Sequence, residues 1–247
     1  MSLLNTTLSV LLLLLFTNCD KRSTPEENQV IITPSERIIK FSGYDWIVRK
    51  TKSAKEGPGP NLFSDSQENV WVDNQGKLHL KITQKGGQWF CSGITLRNTL
   101  SYGKYTFFIN SDVSKLDDNV VAGLFTYLTN TEEIDVEFSK WSVNNNMNAQ
   151  FAVQPSDKNG NKVRFNIPRD LGPTTHSFNW QKDKISFNSE YYKQGSTTVL
   201  HKWEYTGGDI PMDKEERLKI NLWLFRGQMP KTLQEQEIVI DSVKFEG

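Results

Sequence analysis

Glu133-Ile134-Asp135-Val136-Glu137-Phe138 is the segment around which the rest of the chain can be arranged. Successive side chains of a β-strand point to opposite faces. One face of this segment therefore carries Glu133, Asp135 and Glu137, and the other carries Ile134, Val136 and Phe138. The apolar face can seal a core. The other face holds three carboxylates with no cation among them, spaced about 6.6–6.8 Å apart along the strand, where each like-charged pair disfavours double ionisation. A solvated strand face would normally mix signs or use Thr, Ser and Lys. The alternatives are an acidic exposed strand and a site built for acid–base chemistry.

The flanking sequence is strand after strand. Lys77-Leu78-His79-Leu80-Lys81-Ile82 alternates cleanly, and Asp73-Asn74-Gln75-Gly76 before it reads as a hairpin turn. Residues 102–109 are aromatic and β-rich. Residues 119–128 are apolar on both faces, as expected of a central strand. Further strands are predicted at 148–153, 163–167, 176–180, 184–187, 198–203, 218–225 and 237–245. Helical periodicity is nearly absent. The pattern predicts an all-β fold, a sandwich of two antiparallel sheets in one domain, with no internal repeat.

Composition narrows the function classes. The 247 residues carry 29 basic and 29 acidic side chains, so charge makes no case for a nucleic-acid partner or an anionic surface. Aromatic residues make up 11% of the chain, with seven Trp and seven Tyr, which favours a β fold with exposed aromatic platforms. The two cysteines, Cys19 and Cys91, sit in unlike contexts, so no disulfide framework is expected and Cys91 reads as a buried free thiol.

The N-terminal segment reads as separate from the fold. Residues 10–16 form a Leu-rich run too short to span a bilayer, followed by Thr17-Asn18-Cys19-Asp20-Lys21. This resembles a bacterial lipoprotein signal: residues 1–18 as signal peptide, Cys19 as the lipid attachment site, and residues 19–36 as a polar tether. The first nine residues lack Lys and Arg, and Asn18 is larger than the usual residue before the cysteine, so an ordinary secretory signal is the alternative. Either way the domain, residues 37–247, is expected outside the cytoplasm. The lipoprotein reading places it on the cell envelope, held at a membrane by its lipid.

Three acids on one strand suit glycosidic bond cleavage. Retaining hydrolysis needs two carboxyls about 5–5.5 Å apart, one to attack the anomeric carbon and one to protonate the leaving oxygen. Glu133 and Glu137 lie about 13 Å apart at Cα on an extended strand, a gap that two inward-leaning Glu side chains can narrow. Glu133 is then the ionised nucleophile, oriented by Asp135. Glu137 is the acid, its pKa raised by neighbouring charge. Once Glu133 is esterified that charge vanishes, and Glu137 can turn to base catalysis.

Nearby residues fit a sugar cleft. Trp141 falls on the acids' face if their strand continues. On the next strand Asn148, Gln150 and Gln154 would face the acids, with Phe151 and Val153 in the core. Later, Asn221, Trp223 and Phe225 share one face, opposite Ile220, Leu222 and Leu224. Amides interleaved with aromatics suit sugar rings and their hydroxyls. The alternative for Trp223 and Phe225 is the core of a doubly buried strand. Trp141, Asn148, Gln150, Asn221 and Trp223 are thus the expected substrate-binding set. No metal is expected at the scattered His79, His176 and His201, and His176 is expected in a structural hydrogen bond more than at the cleft. The loop Asp157-Lys158-Asn159-Gly160-Asn161 has alternating oxygen donors but neither the acidic ending nor the length of a calcium hand. The Pro-rich Gly57–Asn61 loop is either a cleft rim or plain turn chemistry.

The acidic segment resembles the signature of glycoside hydrolase family 16, the laminarinase and lichenase group. The likeness extends in order over roughly residues 40–247, through Cys91-Ser92-Gly93, Tyr102-Gly103-Lys104-Tyr105, Gly123-Leu124-Phe125-Thr126-Tyr127, His176-Ser177-Phe178-Asn179-Trp180 and Asn221-Leu222-Trp223. It implies a concanavalin-like β jelly roll and a retaining, endo-acting hydrolase or transglycosylase acting on a polysaccharide. It implies Glu133 as nucleophile, Asp135 as its assistant and Glu137 as acid/base, with Trp223 near a sugar subsite. No cofactor is implied beyond the structural calcium of several members, whose ligands nothing in this sequence marks. A monomer is expected. Ser139-Lys140-Trp141 after the acids, and a short Thr129–Glu132 loop without Trp, depart from the usual pattern. The polysaccharide therefore stays open between a β-1,3- or mixed-linked glucan, the family default, and an algal galactan. The competing function is a non-catalytic sugar-binding lipoprotein on the same sandwich.

Overall fold

A computed structural model describes residues 36–247. The expected signal peptide, Cys19 and all but the last residue of the tether lie outside the described residues. In chain order the strands are β1 (Ile38–Phe41), β2 (Tyr44–Val48), β3 (Leu62–Phe63), β4 (Val70–Val72), β5 (Leu78–Lys85), β6 (Gln88–Leu96), β7 (Gly103–Ile109) and β8 (Val120–Thr129). They continue with β9 (Glu132–Phe138), β10 (Ala149–Val153), β11 (Lys162–Phe165), β12 (Thr174–Trp180), β13 (Ile185–Lys193), β14 (Ser196–Tyr205), β15 (Arg217–Leu224) and β16 (Gln236–Glu246).

The strands form two antiparallel layers. One runs β1-β2-β6-β15-β8-β9-β10-β11. The other runs β4-β5-β16-β7-β12-β13-β14. The β5–β6 hairpin crosses between them, pairing Thr83 with Phe90, so hydrogen bonding is continuous from one layer to the other. The layers meet through rings: Phe138 lies 4.6 Å from His176, and Phe151 stacks on Phe187 at 4.9 Å. Ile134, Val136 and Phe138 of β9 are all fully buried in this core. The sandwich anticipated from alternation is the fold observed.

Differences lie at strand ends and in one strand. β6 escaped the alternation pattern because Cys91-Ser92-Gly93 interrupts its apolar residues, yet it is a central strand between β2 and β15. β13 and β14 extend well past the predicted ends. Residues 192–199 at their outer ends are all exposed, so sequence periodicity fades there. Pairing persists because Gln194 and Gly195, at φ 51° and 81°, close a two-residue turn between Lys193 and Ser196. The turn at 73–76 forms as predicted, with Gly76 at φ 80°. The Asp73 and Lys77 backbones hydrogen-bond across it at 2.9 Å. Cys91 is a buried free thiol, and burial pushes its pKa up to about 12. His176 lies in the core, its two ring nitrogens against Ser189 Oγ at 2.7 Å and Thr174 Oγ1 at 2.8 Å. Burial drives its pKa down to about 3, so it is neutral there.

Candidate active site

β9 is held between β8 and β10, and its apolar side faces the core. Its other side is the floor of a cleft of ≈ 440 Å³ lined by Glu133, Asp135 and Glu137 together. A larger depression, ≈ 710 Å³, lies over Trp71, but Glu68 is the one carboxylate on its wall, so it cannot supply paired acids.

Each acid has a distinct environment. Asp135 is almost wholly buried, at 2% exposure. Burial first, and then the Glu133 charge, hold its pKa well above the usual carboxylate range. Its hydrogen bond with Glu133 raises Asp135 further and lowers Glu133, which favours the proton on Asp135. Its Oδ2 accepts from Gln154 Nε2 at 2.9 Å, and Gln154 Oε1 accepts the Ser156 N–H at 2.8 Å. These contacts fix the amide's orientation. Burial pushes Glu133 up to about 7, with the Asp135 hydrogen bond opposing and the Glu137 charge adding. Burial pushes Glu137 up to about 8, against a hydrogen bond from Gln150 and the charges of Arg164 and Lys162.

A chain of polar contacts runs sideways from Glu137. Gln150 Nε2 donates to Glu137 Oε2 at 2.6 Å, and Arg164 Nε donates to Gln150 Oε1 at 3.2 Å. The three residues stand opposite one another on β9, β10 and β11. The Arg164 guanidinium lies over the Trp141 ring, 4.1 Å from its centroid. On the other flank Glu137 is opposite Gly123, and Gly123 is opposite Asn221; a Cβ there would stand 3.5 Å from the Phe125 ring and 3.9 Å from the Trp223 indole nitrogen.

Aromatic and rim residues complete the cleft. Trp223 and Phe225 are half-buried on its wall, their rings 6.4 Å apart, while Leu222 and Leu224 between and beside them point into the core. Pro58 belongs to the rim. Asn61 Nδ2 ties its loop down, donating to Pro58 O and to Leu224 O, both at 2.8 Å. Gly59 sits at φ +65°, where a Cβ would come within 3.0 Å of Leu224 O, so the close approach needs a glycine.

No protein-family model and no curated protein sequence matches the chain. Solved structures do match. The β-glucanase of Bacillus licheniformis superposes with a TM-score of 0.60 at 19% identity, covering 81% of this chain and 92% of that one. A prokaryotic β-1,3-1,4-glucanase (lichenase) from a mouse hindgut metagenome gives 0.61 at 18% identity, over 81% and 92%. A laminarinase from Flavobacterium sp. UMI-01 gives 0.59 at 16% identity, over 82% and 93%. The chain has the glycoside hydrolase family 16 fold.

Within that fold the expected site residues divide. Glu133, Asp135, Glu137, Gln150, Trp141 and Trp223 come together on the cleft. Trp141 arrives by a different route from the one expected. β9 ends at Phe138, and a turn with Trp141 at φ 49° swings the ring over. The Trp141 backbone N–H donates to Ser139 Oγ at 2.9 Å. Asn148 does not face the acids. It precedes β10, and its amide clasps Ile167, donating to the carbonyl at 2.9 Å and accepting the N–H at 2.7 Å. Asn221 shares the acids' side of the sheet but is buried in the floor at 2% exposure, pressed against Gly93 instead of open to the cleft.

Lys162 and Arg164 line the cleft and were not anticipated as site residues. Their signal was the alternation of Lys162 and Arg164 with Val163 and Phe165 on the strand after Gln150. Lys219, also unanticipated, lies with its Nζ 3.9 Å from the Tyr127 ring, and burial brings its pKa down to about 8 against the pull of Glu133. In the 157–161 loop, Asn161 and Lys158 bind Asp209, each at 2.9 Å. Among the described residues no group of three or more His, Cys, Asp or Glu is placed to hold a metal ion.

Proposed function

We propose that this chain is a retaining, endo-acting glycosidase that cleaves a β-linked polysaccharide by double displacement. The observation that carries the proposal is the buried Asp135 between two acids on one cleft floor, accepting from Gln154 while Glu137 accepts from Gln150. A neutral Asp135 stabilises a Glu133 carboxylate without adding a second negative charge beside it.

In the first step the Glu133 carboxylate attacks the anomeric carbon as the glycosidic C–O bond breaks. The Glu137 proton passes to the departing oxygen. The product is a glycosyl ester on Glu133. With that charge gone, the Glu137 carboxylate is left with fewer negative neighbours and takes a proton from the incoming water. Water oxygen bonds to the anomeric carbon, the ester C–O bond breaks, and Glu133 returns as carboxylate. Trp223 and Phe225 supply stacking faces for sugar rings along the cleft. A β-1,3- or mixed-linked glucan is the default substrate to try first, since the matching solved structures include glucanases of those classes.

Reducing-sugar release from β-glucans and β-linked galactans, native chain against Glu133→Ala, tests the proposal. Proton NMR of the first product should show the β-anomer. Binding without release on every glycan would point to a carbohydrate-binding protein on the same fold. We further propose that Cys19 carries a lipid that holds the domain at a membrane outside the cytoplasm. Incorporation of labelled fatty acid, lost in Cys19→Ala, tests that second proposal.

A further inference from the structure

The Glu137 end of the cleft is built with more positive charge than neutral sugars require. Arg164 and Lys162 alternate on β11, and both line the cleft. Among the described residues neither has a carboxylate oxygen within 4.0 Å. Arg164 is also half-buried, where a cation is costly, and the one carboxyl that offsets its charge is Glu137 on the cleft floor. Its position is fixed twice, by the Trp141 ring beneath its guanidinium at 4.1 Å and by the Nε hydrogen bond to Gln150 at 3.2 Å. Both contacts leave the two terminal nitrogens without a protein acceptor among the described residues. A guanidinium held flat with its outer nitrogens free presents a two-pronged donor that matches the paired oxygens of a sulfate or carboxylate.

From this we infer that Arg164, supported by Lys162, binds an anionic substituent on the sugar chain, a sulfate ester or a uronate carboxylate, beside the bond that is cut. The inference rests on the proposed glycan-cleaving role of the cleft and names its substrate class. The three acids do not oppose it. Burial raises Asp135 well above the usual carboxylate range and Glu137 to about 8, so the cleft floor does not present three negative charges to an incoming polyanion below that pH. Trp141 then has two jobs: its lower reach stacks under Arg164, and its remaining edge lines the cleft.

The test uses matched polysaccharides that differ only in charge. A laminarin-type β-glucan and an agarose-type β-linked galactan are each prepared neutral, partially sulfated, and oxidised to carry C6 carboxylates. Binding is measured with the Glu133→Gln variant, and kcat/KM with the native chain. The expected result is that one charged form binds about tenfold or more tightly than its neutral parent, the scale of one charge-assisted hydrogen-bonded pair. The preference should shrink as salt rises. The sulfated and oxidised arms distinguish sulfate from carboxylate. Arg164→Gln and Lys162→Gln should each lower the charged-to-neutral ratio of affinity and of kcat/KM. A merely structural role for Arg164, acting through Gln150 on Glu137, would lower both substrates alike and leave that ratio unchanged. Equal affinity for charged and neutral forms on both backbones, or an unchanged ratio in both variants, overturns the inference. Charge-selective binding with no Glu133-dependent cleavage would sink the hydrolase proposal while leaving the anionic site standing.

Discussion

Gln150 stands directly opposite Glu137 across the β9–β10 pair and donates its amide to Glu137 Oε2 at 2.6 Å. An N–H donor favours the ionised form of a carboxyl, so this bond holds the Glu137 pKa below where burial alone would set it. Gln150→Leu should therefore raise that pKa and move the alkaline limb of kcat/KM to higher pH. It should also lower kcat by about ten- to a hundredfold, because the acid loses its orienting contact. A full pH–rate profile of the variant checks both effects. An alkaline limb that moves down, or stays in place, contradicts the assignment of Glu137 as the proton donor.

The native profile itself is constrained. Catalysis requires Glu133 ionised and Glu137 protonated. Burial sets the first near 7 and the second near 8. Activity should rise with pH as Glu133 loses its proton and fall as Glu137 loses its own, giving a narrow bell between the two values. An optimum near pH 5, with both carboxyls at ordinary values, would mean the cleft is wetter than its geometry implies.

Asp135 offers a sharper test of charge. If it is neutral in the resting site, an amide reproduces its role. Asp135→Asn can donate to Glu133 through Nδ2 and accept from Gln154 through Oδ1, whereas Asp135→Ala leaves both partners unserved. The Asn variant should keep activity within about tenfold of the native chain, and the Ala variant should lose about a hundredfold or more. Equal losses in both would show that Asp135 acts through its negative charge.

The raised acids also weaken the fold at high pH. Glu137 has a folded pKa near 8 against an ordinary value of 4.5. The native state thus holds this proton more tightly than the unfolded chain. Stability falls as pH climbs from about 4.5 to 8 and is lowest, for this group, above that window. Glu137→Gln keeps the Gln150 contact and removes the buried charge. It should stabilise the domain by on the order of a few kcal/mol at pH 9 and by little at pH 4. Thermal unfolding of both proteins at the two pH values reads this directly. An inactive variant no more stable at pH 9 than the native chain would place the Glu137 carboxyl in solvent.

What the sequence conveys and what it withholds follows from the range of each interaction. Alternation is local, so the acids of β9, the apolar residues beneath them, and Gln150 and Gln154 on the next strand were all legible. Asn148 was not, because β10 starts one residue later and the preceding turn points its amide at Ile167. Asn221 was misjudged for a long-range reason. Its neighbours on both sides are glycines, Gly93 of β6 and Gly123 of β8, and only the assembled sheet reveals the hollow they leave. Arg164 and Lys162 lie on a strand whose role depends on pairing with β10, a register that sequence spacing does not fix. Trp141 reached the cleft through a backbone turn that no periodicity encodes.

That hollow makes a final prediction. A Cβ at Gly93 would stand 2.2 Å from Asn221 Oδ1 and 3.2 Å from Asn221 Cγ, well inside contact distance. Asn221 is buried and its Nδ2 has no hydrogen-bond partner in the protein among the described residues, so the amide is held by shape more than by bonds. Gly93→Ala should cost about 1–3 kcal/mol through overpacking. Asn221→Ala removes the clashing atoms while sacrificing no protein hydrogen bond to Nδ2. The double variant Gly93→Ala/Asn221→Ala should therefore be more stable than Gly93→Ala alone, with a coupling energy of about 1 kcal/mol or more in a double-mutant cycle by chemical denaturation. Strictly additive effects would mean that Asn221 swings clear toward Gly123, on the flank of Glu137. In that case Gly93→Ala should leave stability nearly unchanged and disturb the pH profile of catalysis instead.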